Sequence, residues 1–217
     1  MRIAILGATG RTGRPLVDQA LDRGHEVVAL VRDPAGLPSA VRGHDRVEVL
    51  EGDAYGGDGV DRAIGGDDPV DAVVSVLGQT DEGPDDLLTA AGGHVLEAMD
   101  RHGVERLVTL VGAGVRKEGE SVSLGGKVMG TLLKLLARSV LEDARDHVEA
   151  VRGSDTRWTI VRAPRLTEGT HTGTFRHGTD LALGVRDAAA RANVAEFILD
   201  CLEDDLYVNE MPKVADE

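Results

Sequence analysis

The sequence predicts an α/β fold in which one doubly wound parallel β-sheet is covered by helices on both faces. Two observations support this prediction. Short apolar runs, typical of strands buried on both faces, alternate with segments of helical periodicity along most of the 217 residues. The first of these runs, residues 3–6, leads directly into three glycines and then into a helical pattern. We therefore expect a single domain over residues 1–217 with strand order 3-2-1-4-5-6.

The three glycines stand at the junction between the first strand and the first helix. Gly7, Gly10 and Gly13 have the spacing G-x-x-G-x-x-G. Glycine at these positions allows a tight bend, close approach of a phosphate to the backbone, and close packing of helix against strand. The first N–H groups of a helix have no intrahelical partner and lie at the positive end of its dipole. The turn thus predicts a dinucleotide pyrophosphate site of the Rossmann type; the alternative is a glycine-rich turn without a ligand.

The residues that follow the second strand indicate which dinucleotide is bound. Residues 27–31 form a continuous apolar run that ends at Arg32 and Asp33. An acidic side chain at this point binds the ribose 2′-hydroxyl of NAD, whereas a guanidinium suits the 2′-phosphate of NADP. We therefore expect Arg32 to select NADP(H), with Arg11 of the glycine turn able to reach the same phosphate. Two alternatives stay open: Asp33 binds the ribose, or Arg32 is an ordinary solvated loop residue.

Residues at the ends of later strands extend this predicted site. Asp53 follows the third strand and can accept a hydrogen bond from the adenine amino group, or else it is a solvated turn residue. Leu77 and Gly78 end the fourth strand and should lie beside the cofactor, because ligands of such sheets bind outside the carboxyl ends of the strands. The later strands are expected at residues 46–50, 71–78, 105–111 and 158–162, with a short edge strand at 206–208.

Helical periodicity and its interruptions describe the rest of the chain. Residues 163–186 show little periodicity and are expected to form a small C-terminal cap over the cofactor. Residues 116–126 are expected to be a charged loop. An apolar patch at residues 132–136 is interpreted either as the core face of a helix or as a substrate-site wall or subunit contact. Beyond the first helix, the expected helices cover residues 60–64, 86–102, 128–136, 139–152 and 191–202.

The composition argues against several classes of function. The net charge of −14 would repel nucleic acid and anionic membranes, and 2% aromatic residues is too few for a base-stacking surface. No stretch approaches the roughly 18 apolar residues of a membrane span. Cys201 is the single cysteine, so neither an intramolecular disulfide nor a cysteine metal cluster is expected. The histidines show no ligand spacing, so no metal site is expected.

The start of the chain and its charge predict where the protein works. The first residues enter a strand at once, so we expect no signal peptide and a cytoplasmic location. The excess of carboxylates has two interpretations: a generally acidic soluble protein, or a halophilic one whose carboxylates keep it solvated in a high-salt cytoplasm.

Five segments together resemble the atypical short-chain dehydrogenase/reductases, and within them the NAD(P)H-binding group that includes flavin/biliverdin reductase-like and NmrA-like proteins. The segments are GATGRTG, VVALVRD, EGDA, RLVTLVGAG and TRWTIVRAPRL, and the closing DLYVNEMP adds to the likeness. This resemblance implies NADP(H) bound across the strand ends. It assigns the pyrophosphate to Gly7, Thr9, Gly10, Arg11, Thr12 and Gly13, the 2′-phosphate to Arg32, the adenine to Asp53 and Ala54, the inner ribose to Leu77 and Gly78, and the nicotinamide to Val111, Gly112 and Pro164.

The chain departs from this family in its catalytic residues. Typical members use a serine and a Tyr-x-x-x-Lys motif to donate a proton while hydride moves, but neither tyrosine here is followed by lysine four residues later. Counted back from Glu149, which resembles the family's helix glutamate, the lysine position holds Arg145 and the tyrosine position Leu141. Arg145 is a candidate to hold the nicotinamide ribose or to stabilise negative charge on a substrate, or else it forms a surface salt bridge with Glu142 or Glu149. His147 should point to a different face and is interpreted as structural.

Two functions follow from this combination of a cofactor site with missing catalytic residues. The first is an NADPH-dependent oxidoreductase that transfers hydride to a flavin- or quinone-like acceptor, since such acceptors can take their proton from water. The second is a non-catalytic NADP(H) sensor of the NmrA-like type that regulates a partner. A ketone reductase or sugar-nucleotide epimerase is disfavoured, because an alkoxide needs a proton donor.

Overall fold

A computed structural model of the chain describes residues 1–79, 83–115 and 138–217. The predicted loop at 116–126 and the predicted apolar helix at 128–136 lie outside these residues. The strands are β1 Arg2–Leu6, β2 Glu26–Val31, β3 Val47–Glu51, β4 Ala72–Ser75, β5 Arg106–Gly112, β6 Arg157–Ala163, β7 Arg165–Thr167, β8 Phe175–Gly178, β9 Ala188–Ala190 and β10 Lys213–Asp216. The helices are α1 Gly13–Asp22, α2 Ser39–Arg42, α3 Val60–Ile64, α4 Leu87–His102, α5 Arg138–Arg152 and α6 Arg191–Glu203, with a 3-10 helix at Pro34–Gly36.

The main sheet has the strand order β3-β2-β1-β4-β5-β6-β10-β8, which confirms the predicted order of the first six strands. Neighbouring strands from β3 to β10 run parallel, and β8 closes the edge antiparallel to β10. β1 lies in the middle, where Leu6 is level with Leu30 of β2 and Ser75 of β4. The carboxyl ends of β1 to β6 therefore meet at one edge of the sheet.

Two apolar layers cover the faces of this sheet, as its doubly wound character predicts. Alternate residues of β1 point to opposite layers: Ile3 and Ile5 pack with α1 and α6, whereas Ala4 and Leu6 pack with α3, α4 and α5. The layers consist mainly of Val, Leu, Ile and Ala side chains. Because both faces are covered, the central strands are continuous apolar runs, and this is the pattern that made them visible in the sequence.

The C-terminal edge strand was predicted at the wrong place. Residues 206–208 form a turn, with positive φ at Asp205, Tyr207 and Asn209. Thr159 of β6 holds this turn, because its hydroxyl donates to the carbonyls of Leu206 and Tyr207. The strand beside β6 is β10, whose Val214 and Ala215 are completely buried.

The segment predicted as a cap contributes to two sheets. Its β7 pairs with β9 in a separate two-stranded parallel sheet, and its β8 extends the main sheet through β10. Asn193 of α6 fastens the connection between β7 and β8, because its carbonyl accepts the backbone N–H of Thr172 at 2.9 Å. That this segment covers a cofactor stays a prediction. None of the helices in the described part of the chain is both long and apolar enough to cross a membrane.

Candidate functional site

The predicted cofactor residues converge on the edge where the carboxyl ends of β1 to β6 meet. Each of them ends one of these strands, follows it, or begins the helix after it. They are Gly7, Thr9, Gly10, Arg11, Thr12 and Gly13 after β1, Arg32 after β2, Asp53 and Ala54 after β3, Leu77 and Gly78 after β4, Val111 and Gly112 at the end of β5, and Pro164 after β6.

The glycine turn between β1 and α1 has no room for side chains. A Cβ atom at Gly13 would lie 2.0 Å from the carbonyl oxygen of Gly7, and one at Gly10 would lie 3.0 Å from the same oxygen. Gly7 itself has φ +91°, a conformation that favours glycine. Its carbonyl accepts the N–H of Gly10 at 2.9 Å. The G-x-x-G-x-x-G spacing is thus required by the turn's own packing.

The start of α1 offers backbone donors to an anion. The N–H groups of Arg11, Thr12 and Gly13 find no acceptor within the described residues, and the Thr12 side chain does not cap the helix. The first turn of α1 contains no acidic residue that would compete for these donors. Unpaired donors at the positive end of a helix dipole suit a phosphate. The residues present therefore fit the pyrophosphate of a dinucleotide.

Three arginines lie in the glycine turn or near it. The guanidinium of Arg14 donates to the carbonyl of Thr9 at 3.1 Å and to that of Gly36 at 3.2 Å, which ties the 3-10 helix to the glycine turn. Arg11 is exposed and forms an ion pair with Glu168 at 3.6 Å. Arg32 is exposed and has no hydrogen-bond or ion-pair partner in the described part of the chain.

Arg32 and Asp33, the two residues after β2 that could bind the adenosine ribose or its phosphate, differ in their surroundings. The Asp33 carboxylate accepts the backbone N–H of Ala35 at 2.9 Å and so caps the 3-10 helix, whereas the Arg32 guanidinium has no partner among the described residues. Both side chains stand at the point where the adenosine ribose of a bound dinucleotide would lie.

The loop after β3 is held in a fixed conformation. The Asp53 carboxylate accepts the backbone N–H of Tyr55 at 3.1 Å, and Ala54 is buried. The hydroxyl of Tyr55 donates to Asp86 at 3.2 Å, immediately before α4. Tyr55 is not among the residues predicted for the site. Its position two residues after Asp53, in a chain with few aromatics, was the available signal.

The ends of β4, β5 and β6 leave open space. Among the described residues, apart from its own chain neighbours, no atom lies within 4 Å of a Cβ built at Gly78 or at Gly112. Beside them Leu77 and Pro164 are half-buried and Val111 is buried. The Ala113 N–H donates to the carbonyl of Ala163 at 2.7 Å and joins the ends of β5 and β6. The packing of the described residues therefore does not require glycine at positions 78 and 112, whereas it does in the glycine turn.

The helix predicted to carry the catalytic position, α5, has an exposed face with Arg145 and a buried face with His147. Arg145 is exposed and makes no ion pair with Glu142, Glu149 or any other described residue. His147 points the other way and is 3% exposed, as its structural interpretation requires. No group of three His, Cys, Asp or Glu side chains suited to a metal ion occurs within the ranges that the structure describes.

A buried polar cluster joins α4, α5 and β5 beneath the site. Nε2 of His147 lies 3.0 Å from the hydroxyl of Thr109, and Nδ1 has no partner in the described chain. Burial lowers the pKa of His147, although the nearby Asp143 carboxylate acts in the opposite direction. Asp143 accepts the backbone N–H groups of Leu88 at 2.9 Å and of Thr89 at 2.8 Å, and so caps α4 from another helix. The cluster was not predicted from the sequence.

Comparison with known proteins shows which family the chain is similar to. The family model described as NAD(P)H-binding matches residues 7–205. The uncharacterised protein YwnB of Bacillus subtilis is 27% identical, over 100% of this chain and 99% of that protein. A 3-diazoavenalumate denitrifying reductase of Streptomyces is 36% identical, over 50% of this chain and 36% of that protein. A 3β-hydroxysteroid dehydrogenase/isomerase of Mycobacterium tuberculosis is 31% identical, over 59% of this chain and 36% of that protein.

Solved structures share the fold over the whole chain. A putative NAD-dependent epimerase/dehydratase of Bacillus halodurans superposes with a TM-score of 0.81 at 18% identity, over 100% of this chain and 94% of that one. A short-chain dehydrogenase/reductase of Veillonella parvula, solved in complex with NADP, has a TM-score of 0.80 at 21% identity, over 100% of this chain and 94% of that one.

Proposed function

Since the chain belongs to the NAD(P)H-binding family, we propose that it is an NADPH-dependent oxidoreductase that transfers hydride to a flavin- or quinone-like acceptor. The observation that carries the proposal is the convergence at one sheet edge of three elements. As far as the described ranges show, these are the closed glycine turn with its unpaired N–H groups, the Arg32 guanidinium without a partner, and the open space at Gly78 and Gly112.

The choice of NADP(H) over NAD(H) rests on Arg32. A guanidinium forms two parallel hydrogen bonds to a phosphate, whereas a ribose hydroxyl gains little from it. Asp33, the residue that could bind the ribose instead, has one carboxylate oxygen engaged by the N–H of Ala35. Arg11 is a second cation near the same turn, and its partner Glu168 is 64% exposed and can move away from it.

The protein's contribution to the reaction is binding and orientation. The nicotinamide, when bound, supplies the hydride. The chain lacks a Tyr-x-x-x-Lys motif, so no tyrosine is set to protonate an alkoxide. A flavin- or quinone-like acceptor fits this deficit, because water can protonate it. Arg145, exposed and unpaired with described residues, is a candidate to hold the nicotinamide ribose or to stabilise negative charge on the acceptor.

The names of two relatives support an oxidoreductase. One is a denitrifying reductase and the other a hydroxysteroid dehydrogenase/isomerase, and each matches this chain over about a third of its own length, 36%. The likeness therefore covers only part of those proteins, and the acceptor proposed here is inferred from the missing catalytic residues.

A turnover assay tests the proposal. Purified protein is mixed with NADPH and, separately, with FMN, FAD and a set of quinones at low and high KCl, and absorbance at the nicotinamide band is followed. Oxidation of NADPH by at least one acceptor is expected, with loss of rate in Arg145→Ala. Saturable NADPH binding without oxidation by any of these acceptors would overturn the enzyme assignment.

The second candidate function is an NADP(H) sensor of the NmrA-like type. The observation that favours it is again the missing serine and Tyr-x-x-x-Lys motif, since a protein that only binds the nucleotide needs neither. Binding without turnover, together with a change in protease sensitivity between NADP and NADPH, is the result that distinguishes the sensor from the enzyme.

A further inference from the structure

Tyr55 differs from the other aromatic residues of the chain in its exposure. The chain has one Trp, two Tyr and two Phe. Trp158 is buried, and Phe197 packs against both Phe175 and Tyr207, with ring centroids 5.9 Å apart in each pair. Tyr55 is 38% exposed and makes none of these ring contacts. Tyr55 is therefore the one exposed Phe, Trp or Tyr side chain of the protein, and it lies in the loop that carries Asp53 and Ala54 of the candidate site.

The ring of Tyr55 is nevertheless fixed in position. Its backbone N–H is bound by the carboxylate of Asp53, and its hydroxyl donates to Asp86 at 3.2 Å. This hydrogen bond raises the pKa of Tyr55, so the phenol stays protonated and remains a donor. The loop below it packs on α4, because Gly57, with φ +79°, sits so close to His94 that a Cβ would lie 3.0 Å from the imidazole Nδ1.

The contact between Tyr55 and Asp86 crosses the carboxyl edge of the sheet. Tyr55 follows β3 and Asp86 precedes α4, the helix after β4, while β2 and β1 lie between those two strands. The contact lies on the side of α3 and α4, whereas the glycine turn leads into α1 on the opposite face. A ligand laid along this edge therefore has phosphate donors on one side and an aromatic ring on the other.

We propose that the ring of Tyr55 is the wall on which the adenine base of the dinucleotide stacks, and that Asp86 is the residue that positions this ring. The inference rests on the proposed function, since it needs a nucleotide at this edge. Planar bases gain from stacking on aromatic side chains irrespective of base identity. Asp53 then provides the acceptor for the adenine amino group, while one of its carboxylate oxygens holds the backbone of Tyr55.

Three ligands separate the two halves of the dinucleotide in the test. They are NADPH, 2′,5′-ADP, which lacks the nicotinamide half, and reduced nicotinamide mononucleotide, which lacks the adenosine half. In Tyr55→Ala we expect the dissociation constants of NADPH and 2′,5′-ADP to rise about tenfold, with that of the mononucleotide unchanged. Tyr55→Phe and Asp86→Ala keep the ring and lose only its anchor, so a rise of about threefold is expected for the same two ligands.

Asp45→Ala is the control, because it shortens another exposed side chain, 90% exposed, which precedes β3 and so lies at the opposite, amino edge of the sheet. It should leave all three dissociation constants unchanged. Thermal unfolding of Tyr55→Ala should match the wild type, since the side chain lies at the surface.

The outcomes distinguish a failure of the stacking inference from a failure of the proposed function. If the wild type binds NADPH but Tyr55→Ala binds 2′,5′-ADP equally well, the stacking inference is overturned and the proposed function stands. Equal weakening of the mononucleotide also overturns it, because the effect would not be confined to the adenine. If the wild type binds none of the three ligands, the inference and the proposed function both fall.

Discussion

Two neighbouring glycines of α4 provide a sharp test of the packing beneath the site. A Cβ at Gly92 would lie 2.4 Å from Nδ1 and 2.8 Å from Cε1 of His147, whereas a Cβ at Gly93 would meet no described atom outside its own helix backbone within 4 Å. Gly92 is buried and Gly93 is exposed on the same helix. Gly92→Ala and Gly93→Ala therefore make the same chemical change in the same helix and differ only in what the new methyl group meets.

The expected magnitudes follow from three effects. Either alanine stabilises the helix by about 0.5–1 kcal/mol relative to glycine. At Gly92 the ring of His147 must shift by about 1 Å, at a typical overpacking cost of about 1–3 kcal/mol. The hydrogen bond to Thr109 is then lost as well, at about 1 kcal/mol. We expect Gly93→Ala to be more stable than the wild type and Gly92→Ala to be less stable by about 1–3 kcal/mol.

Urea unfolding followed by circular dichroism measures both variants, and a double-mutant cycle assigns the cause. In a His147→Ala background the ring is absent, so Gly92→Ala should become stabilising, as Gly93→Ala is. The coupling free energy between Gly92 and His147 should reach about 2–4 kcal/mol. Equal stability of the two glycine variants in the wild-type background, or a coupling below about 0.5 kcal/mol, would refute this account of the cluster.

Three further predictions concern pH, ligand space and salt. Because burial lowers the pKa of His147 below its ordinary value of 6.5, the unfolded state takes up the proton first, so the free energy of unfolding should hold above pH 6.5 and fall as the pH drops below it. A decline of the same steepness in His147→Gln would contradict that attribution. Gly78→Ala and Gly112→Ala should leave the midpoint of thermal unfolding unchanged yet weaken NADPH binding in calorimetry, because no atom of the described residues occupies that space. Unchanged binding would show that the cofactor lies elsewhere. The net charge of −14 predicts that molar KCl raises the unfolding temperature, and a KCl series without stabilisation would count against a halophilic protein.

The sequence predicted the sheet well because its signals are local. The central strands are continuous apolar runs, and the short helix predicted at residues 60–64 has the bounds Val60–Ile64. The failure at residues 206–208 has the same origin: three apolar letters in a row resemble a strand, but the carbonyls of Leu206 and Tyr207 are bound by Thr159, 47 and 48 residues away.

In the candidate site, too, the residues with local sequence signals could be predicted, whereas contacts between distant residues could not. The strand-end residues could be found because a parallel sheet necessarily gathers the carboxyl ends of its strands. The cap of α4 by Asp143, 55 residues from Leu88, could not be found, since it depends on how two helices pack. The contact from Tyr55 to Asp86 spans 31 residues and was missed for the same reason. Arg145 was aligned from a family pattern and stays a prediction.

Calorimetric titration with NADPH and with NADH, on the wild type and on Arg32→Ala, measures whether Arg32 selects the phosphorylated nucleotide. We expect the wild type to bind NADPH about tenfold or more tightly than NADH, because a guanidinium–phosphate pair adds charge-assisted hydrogen bonds. In Arg32→Ala the two affinities should converge through a loss for NADPH alone. Equal binding of both nucleotides by the wild type, or an unchanged preference in Arg32→Ala, would contradict the assignment of this edge as an NADP(H) site.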